Sequence, residues 1–131
     1  MIVLDTHVWL WLCIQPKKLS RPATRAIERA SGSGGLAVAS ITLLEAAWLF
    51  AKGRVRSAGT VGSGVREVLD ASRASVLEIT PEIAATAVQL PGTVPPDPAD
   101  RLIVATAIVH ATTLVTRDAR IQDSGVCRTL W

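Results

Sequence analysis

The sequence Met1-Ile-Val-Leu-Asp-Thr-His7 contains the stretch that decides the fold. Three branched apolar residues at positions 2–4 follow one another without a polar break, which is typical of a strand covered on both faces. Asp5 stands where that strand should end. Ligands of open parallel sheets collect at the carboxyl ends of the strands, so Asp5 is a candidate site residue. The alternative is a cap for the next helix, with the backbone N–H groups of Thr6 to Val8 or their neighbours as donors.

Length and composition predict one globular domain, residues 1–131. The chain is 49% hydrophobic and 19% charged, which suits a compact domain with an aliphatic core. It has no apolar run of the ~20 residues that cross a bilayer and no basic leader before an apolar stretch, so we expect a cytoplasmic protein without membrane contact. A net charge of +3 weakly favours a polyanionic partner. Cys13 and Cys127 are far apart in the sequence, which predicts buried free thiols.

Apolar patterns and turn residues alternate along the whole chain. Strands are predicted at 2–4, 36–39, 75–79, 112–116 and 126–130, and helices at 6–14, 20–30, 40–51, 65–72, 80–89 and 98–109. The Gly/Ser-rich segment 57–64 is predicted to be a mobile connection. Strands that alternate with helices predict an α/β fold, a three-layer α/β/α sandwich with a largely parallel central sheet.

Glu45 is the only charged residue between Leu36 and Ala51. Burying a carboxylate without compensation is costly, so Glu45 must meet a basic partner, a proton, a metal ion or a crevice. A structural ion pair and a functional site both remain open for it.

Three further acids fall at helix starts or strand ends. Asp97 followed by Pro98 is a good helix N-cap, and that role suffices for Asp97. Asp100 falls in the first turn, where the helix dipole and the free N–H groups favour an ionised acid. Arg117 and Asp118 follow the predicted strand 112–116 directly.

Convergence of these acids would create strong repulsion. Two carboxylates ~6 Å apart repel by roughly 3 kcal/mol at an effective dielectric constant of ~20. A divalent cation would relieve the repulsion, and a donor set made only of oxygen favours Mg²⁺ or Mn²⁺ over zinc. The spacing alone does not show which strand ends meet.

Four motifs resemble one family. They are Leu-Asp-Thr-His-Val-Trp-Leu-Trp at 4–11, Ser-Ile-Thr-Leu-Leu-Glu at 40–45, Asp-Pro-Ala-Asp-Arg-Leu-Ile-Val-Ala-Thr-Ala at 97–107 and Leu-Val-Thr-Arg-Asp at 114–118. In order, spacing and total length the chain resembles PIN-domain ribonucleases of the VapC type, the toxins of bacterial type II toxin–antitoxin pairs.

This resemblance implies a metal-dependent endoribonuclease with an acidic quartet of Asp5, Glu45, Asp100 and Asp118. Asp5, Asp100 and Asp118 would bind Mg²⁺ or Mn²⁺, and Glu45 would position or activate the attacking water. Asp123 is the alternative to Asp118 as the fourth acid.

Supporting roles also follow from the resemblance. Thr116 matches a hydroxyl that orients ligands, Asp97 occupies a secondary acidic position, and Thr6 is a further supporting residue. Arg101 would pair with a carboxylate or face RNA.

The resemblance implies three partners: an RNA substrate, a cognate antitoxin whose tail crosses the acidic groove, and a second copy of the chain in a homodimer or a larger toxin–antitoxin assembly. Trp9, Trp11, Trp48 and Phe50 could build such surfaces or belong to the core. Candidate RNA-binding cations, for which a solvated face is the alternative, are Arg21, Arg25, Arg29, Lys52 and Arg54.

Two rival functions use the same residues. A non-cleaving module that binds RNA or protein would explain the basic residues, but it has no need for four clustered acids. A phosphatase or DNA nuclease could use a similar sheet, although no Asp-x-Asp motif lies near Asp5.

Overall fold

The computed structural model describes residues 1–33 and 35–131. The strands are β1 (Ile2–Leu4), β2 (Leu36–Ala39), β3 (Ser75–Leu77), β4 (Thr113–Val115) and β5 (Thr129–Leu130). The helices are α1 (Thr6–Ile14), α2 (Arg21–Gly32), α3 (Ser40–Ala51), α4 (Val61–Ser72), α5 (Pro81–Gln89), α6 (Pro98–Val109) and α7 (Ala119–Ser124), with a 3₁₀ turn at Pro16–Lys18.

The strands of the described residues form one parallel sheet in the order β3-β2-β1-β4-β5. The predicted α/β sandwich with a parallel sheet is therefore confirmed. The strand order reverses between β1 and β4, where Leu4 pairs with Val115. The Asp5 N–H donates a hydrogen bond to the carbonyl of Val115 at 3.0 Å, so the ends of both strands are held together. Ligands of such sheets bind at this kind of reversal.

Alternate strand residues point into two separate cores. Leu4, Val38 and Val115 pack on one face against α1, α2 and α4, with the fully buried Trp9 among them. On the opposite face, the partners of α6 and α7 are Val3, Ala37, Ala39 and Leu114. Because apolar side chains cover both faces of the sheet, a polar site can form only at the ends of the strands.

The helix α4 corrects one prediction. It begins at Val61, with the Thr60 side chain as its N-cap, so the end of the supposedly mobile segment 57–64 is helical. Gly64 allows a close helix contact, because a Cβ atom there would lie 2.9 Å from Cε1 of Phe50. Gly64, assigned from the sequence to the mobile segment, is therefore a packing residue between α3 and α4.

The remaining boundary differences lie toward the carboxyl-terminal half. The predicted strand 75–79 ends at Leu77, and the predicted strand 126–130 is reduced to Thr129–Leu130. Helix α7 was not predicted, since its six residues are too few to show an apolar period. Asp123, the alternative candidate for the fourth acid, lies within α7.

The structure also bears on two further expectations, the absence of a membrane-spanning segment and the burial of the two thiols. Among the described residues, no helix has the length and apolar character needed to cross a membrane. The free thiols Cys13 and Cys127 are partly rather than fully buried. Burial still raises the pKa of both thiols.

Candidate functional site

An acidic cleft of about 550 Å³ lies where β1 and β4 end. Its lining includes five carboxylates: Asp5, Glu45, Asp97, Asp100 and Asp118. The structure therefore brings together the four acids of the predicted quartet and adds Asp97 to them. The acids come from the ends of two strands and from α3 and α6, so only the tertiary fold assembles the cleft.

Asp5 is fixed at the floor of the acidic cleft. Its Oδ1 accepts a hydrogen bond from the Thr6 N–H at 2.8 Å, which makes Asp5 the N-cap of α1. Its Oδ2 accepts the hydroxyl of the buried Thr116 at 2.6 Å. Burial raises the pKa of Asp5 despite these hydrogen bonds. Asp5 is thus both a helix cap and a member of the cleft.

Glu45 enters the acidic cleft from α3. Its Oε1 accepts the hydroxyl of Thr6 at 2.6 Å, and Thr42 Oγ1 lies 3.1 Å from the same hydroxyl. Within the described residues, Glu45 forms no ion pair. Burial raises its pKa, with further contributions from the negative charges of Asp5 and Asp97. The structural ion pair considered for Glu45 is therefore not present in the described part of the chain.

Asp97 and Asp100 enter the acidic cleft from the start of α6. Asp97 caps the helix, with Oδ1 accepting the Ala99 N–H at 3.0 Å. Glu45, Asp97 and Asp100 each present an oxygen atom, and these atoms all lie within 4.8 Å of one another. Burial, followed by the charges of the neighbouring acids, raises the pKa of Asp100 to about 7.

These features fit a hard divalent cation. The ligand atoms offered are carboxylate oxygens, as Mg²⁺ and Mn²⁺ prefer. The raised pKa values of Asp5, Glu45 and Asp100 show that the cleft opposes further negative charge when no cation is bound. A bound cation would oppose that shift and keep the oxygens ionised.

Asp118 differs from the other acids of the cleft. It caps α7 by accepting the Arg120 N–H at 2.9 Å, and its Oδ2 pairs with the Arg120 guanidinium at 2.9 Å. The hydrogen bond from Arg120 is the main reason that the pKa of Asp118 is lowered. The alternative acid, Asp123, is exposed on α7, whereas Asp118 lines the acidic cleft.

The structure contradicts one of the two roles predicted for Arg101. Among the described residues its guanidinium pairs with no carboxylate and instead donates hydrogen bonds to backbone carbonyls. The acceptors are Ala87 at 3.0 Å, Leu90 at 2.5 Å and Val94 at 3.5 Å. Arg101 therefore ties the proline-rich loop after α5 to the start of α6. The physical reason is that this loop has carbonyl groups without helix or sheet partners.

We expect Arg101→Met to lower the free energy of unfolding by about 2–3 kcal/mol, since it leaves half-buried carbonyls without donors. Urea denaturation would measure the change, and Arg29→Met, at an exposed position of α2, is the control. Unchanged stability together with weaker RNA binding would instead support the role first predicted for Arg101.

The other candidate RNA-binding cations separate into two groups. Lys52 and Arg54 line a depression of about 260 Å³ that also contains Glu45 and His7. Arg21 and Arg25 line a different depression on α2, and Arg29 is exposed on the same helix. Only the first group lies next to the acids.

Sequence reasoning missed two cations at the acidic cleft, Arg117 and Arg120. Arg120 lies one residue beyond the start of α7, close enough to Asp118 to pair with it. The signal for it was the sequence Asp118-Ala-Arg120 after a strand, which becomes informative only when a helix is known to follow. The basic side chains place positive charge at the rim of an otherwise acidic cleft.

Comparison with known proteins adds to this geometry. Residues 2–125 match the family described as PIN domain. The chain is 46% identical to ribonuclease VapC22 of Mycobacterium tuberculosis over 122 residues, 93% of this chain and 90% of that protein. A crystal structure of VapBC2 from Rickettsia felis bound to a promoter DNA fragment matches with a TM-score of 0.74, 19% identity and coverage of 99% and 98% of the two chains. A toxin–antitoxin complex from Klebsiella pneumoniae matches with a TM-score of 0.69, 22% identity and coverage of 100% and 97%.

Proposed function

The chain belongs to the PIN domain family and to its VapC type, and from this premise we propose that it is an Mg²⁺- or Mn²⁺-dependent endoribonuclease, the toxin of a toxin–antitoxin pair. Residues 1–131 would form one nuclease domain. The observation that carries the proposal is the convergence of five carboxylates at the reversal of strand order, three of them with raised pKa values. The relative that is 46% identical is named a ribonuclease, which supports the same conclusion.

The residues that would hold the cation follow from the cleft. We assign Asp5 and Asp100 as ligands, and add Asp97 because its oxygen lies near those of Glu45 and Asp100. Asp118 is a further candidate ligand, and its ion pair with Arg120 would compete with the cation for its oxygens. Bound there, Mg²⁺ or Mn²⁺ would supply a hydrolytic nucleophile at neutral pH and stabilise negative charge on the phosphate.

Glu45 is suited to accept a proton from the attacking water. Thr6 occupies its Oε1 and fixes the side chain, which leaves Oε2 available within the described contacts. With a cation in the cleft keeping the carboxylate ionised, this second oxygen could accept the proton. The cations Arg117 and Arg120 at the rim would hold the phosphate against the repulsion of the acids.

The proposal is tested by incubating the purified chain with RNA in Mg²⁺ or Mn²⁺ and, separately, in EDTA. We expect cleavage only with the cation, with internal fragments rather than release of terminal nucleotides, and none of a DNA strand of the same sequence. RNA that is bound in EDTA but stays intact in Mg²⁺ and Mn²⁺ would favour the non-cleaving module instead.

A cognate antitoxin is the second part of the proposal. Solved structures that share this fold contain VapBC and toxin–antitoxin complexes. The acidic cleft would attract a basic side chain of such a partner, which would also block access of RNA. We further propose that the pair acts in the cytoplasm.

We also expect a homodimer. Leu44 and Trp48 lie one turn apart on α3 and are 48% and 58% exposed, which is unusual for large apolar side chains. Burying both against a second copy would remove this apolar surface from water. Light scattering should give the mass of a dimer for the wild-type chain and of a monomer for Leu44→Asp. A wild-type monomer at micromolar concentration would contradict the expectation.

A further inference from the structure

A second groove of about 590 Å³ adjoins the acidic cleft and has the opposite charge. Its walls come from α1 and from the segment that follows α3. Lys18, Arg54 and Arg56 supply its charged side chains, and no carboxylate lines it among the residues that the structure describes. Trp11 supplies an aromatic surface. We call this feature the basic groove.

We propose that the basic groove binds single-stranded RNA next to the phosphate that is cleaved, with one unpaired base stacked on Trp11. The inference rests on the proposed nuclease function for its connection to cleavage. The binding of RNA itself rests on the groove alone.

The basic groove and the acidic cleft are continuous. His7 and Trp11 belong to the lining of both, so the two side chains form the boundary between them. A strand that leaves the acidic cleft through this boundary must pass Trp11. It then meets the three cations within a groove that carries no opposing charge.

Trp11 is suited to stack on a base. It is only partly buried, and two cations already lie over its ring, Lys18 Nζ at 5.5 Å and Arg117 Cζ at 5.8 Å from the centroid. Both cations are exposed and can move to a phosphate when a base takes their place. The rings of His7 and Trp131, tilted against Trp11 at 5.8 and 6.0 Å, fix the orientation of the platform.

The chemistry of the groove favours single-stranded RNA over other polyanions. A base in a duplex is already stacked on its neighbours, whereas a single strand offers free base faces to an aromatic residue. An acidic peptide would match the cations but has no aromatic face that requires Trp11. The difference in charge between the two grooves also directs the RNA strand into the basic groove, because the acids of the cleft repel phosphates that are not held by a cation.

Binding can be measured without cleavage. We would use an Asp100→Asn background in EDTA and a labelled uridine oligomer of about eight nucleotides. Trp11→Leu should weaken binding about tenfold, as loss of one stacked base does, and Trp11→Phe should retain most of the affinity. Circular dichroism would check that both variants fold.

A second pair of variants tests the charges without touching the core. Arg54→Ala with Arg56→Ala should weaken binding and reduce the slope of log K against log salt by about 1.4, as expected for two lost phosphate contacts of a single strand. The control is Arg66→Ala with Arg73→Ala, which removes the same charge from exposed positions on α4 and at its C-terminal cap. The control should leave the slope unchanged.

Chain length separates this inference from the proposed function. In Mg²⁺, the Arg54/Arg56 variant should lose much more activity on the longer oligomer than on a dinucleotide, because the dinucleotide does not extend along the groove. A wild-type chain that cleaves nothing, while the variants still lose RNA binding, would refute the nuclease and leave the groove intact.

Two results would overturn the inference itself. One is an equal loss of RNA affinity in the groove pair and in the control pair of charge variants. The other is wild-type RNA affinity in the groove variants; if these variants also lose binding of a polyglutamate peptide, the groove is a surface for an acidic protein.

Discussion

Asp5→Asn and Asp100→Asn should each reduce RNA cleavage by at least about 100-fold at saturating Mg²⁺. Each change removes a negatively charged oxygen from the acidic cleft, so the cation loses a ligand and its position. Removal of one preorganised electrostatic group from an active site typically costs about 10²- to 10³-fold in rate. Initial rates on a defined RNA, over a range of Mg²⁺ concentrations, would measure the effect.

The fold should tolerate both changes, so that lost activity reports on the site. Asparagine is as good a helix N-cap as aspartate, and its oxygen can still accept the Thr6 N–H. In the wild-type chain the Thr116 hydroxyl donates to Asp5. In the variant, the side-chain amide of the introduced asparagine can donate to that hydroxyl instead. Asp100 makes no side-chain hydrogen bond within the described contacts, so its replacement breaks none of them.

Asp123→Asn is the matched control, because it removes the same charge from an exposed position of α7 outside the lining of the cleft. Its rate should equal that of the wild type. Comparison with Asp118→Asn would also decide between the two candidates for the fourth acid. Wild-type rates for both Asp5→Asn and Asp100→Asn would remove the proposed mechanism.

The position of Asp5 and Asp118 at one end of the sheet could be predicted from topology, whereas the convergence of all four acids was implied by the family resemblance. Carboxyl ends of parallel strands share one edge, so Asp5 and Asp118 had to lie on the same side of the sheet once β1 and β4 were recognised. Glu45 stood out because no other charge lies near it in the sequence. These signals depend on strand direction and on the cost of burying a charge, both of which can be judged from one sequence.

Other parts of the site could not be predicted because they depend on tertiary distances. Asp97 was explained by its cap, and nothing in the sequence shows that its oxygen also lies within 4.8 Å of oxygens of Glu45 and Asp100. The Arg101 guanidinium donates hydrogen bonds to backbone carbonyls of a loop. The path of that loop could not be predicted, because the loop has no periodic sequence pattern. Gly64 indicated a loop, although it permits the approach of Phe50 inside a helix contact.

Asp100→Asn should also stabilise the metal-free protein at pH 8, in contrast to its effect on activity. Burial and neighbouring charges raise the pKa of Asp100 from 3.8 to about 7 in the folded state. Between these values the folded chain holds a proton that the unfolded chain releases, so stability falls as the pH rises through this window. Above about pH 7 the folded protein bears the full cost of the ionised carboxylate.

The expected gain is modest because Asp100 is only partly buried. A shift of this size corresponds to about 4 kcal/mol for a fully shielded group, and solvent screening reduces it to about 1–2 kcal/mol. In EDTA, urea denaturation should therefore show the variant more stable than the wild type at pH 8 and nearly equal to it at pH 4. Asp123→Asn should show no such dependence.

Addition of Mg²⁺ should reverse the order of stability. The wild-type chain gains the free energy of cation binding, whereas the variant has lost a ligand and gains less, so the difference at pH 8 should shrink or change sign. A variant no more stable than the wild type in EDTA at pH 8 would show that repulsion in the cleft is already relieved without a cation. The need for Mg²⁺ or Mn²⁺ would then have to rest on catalysis alone.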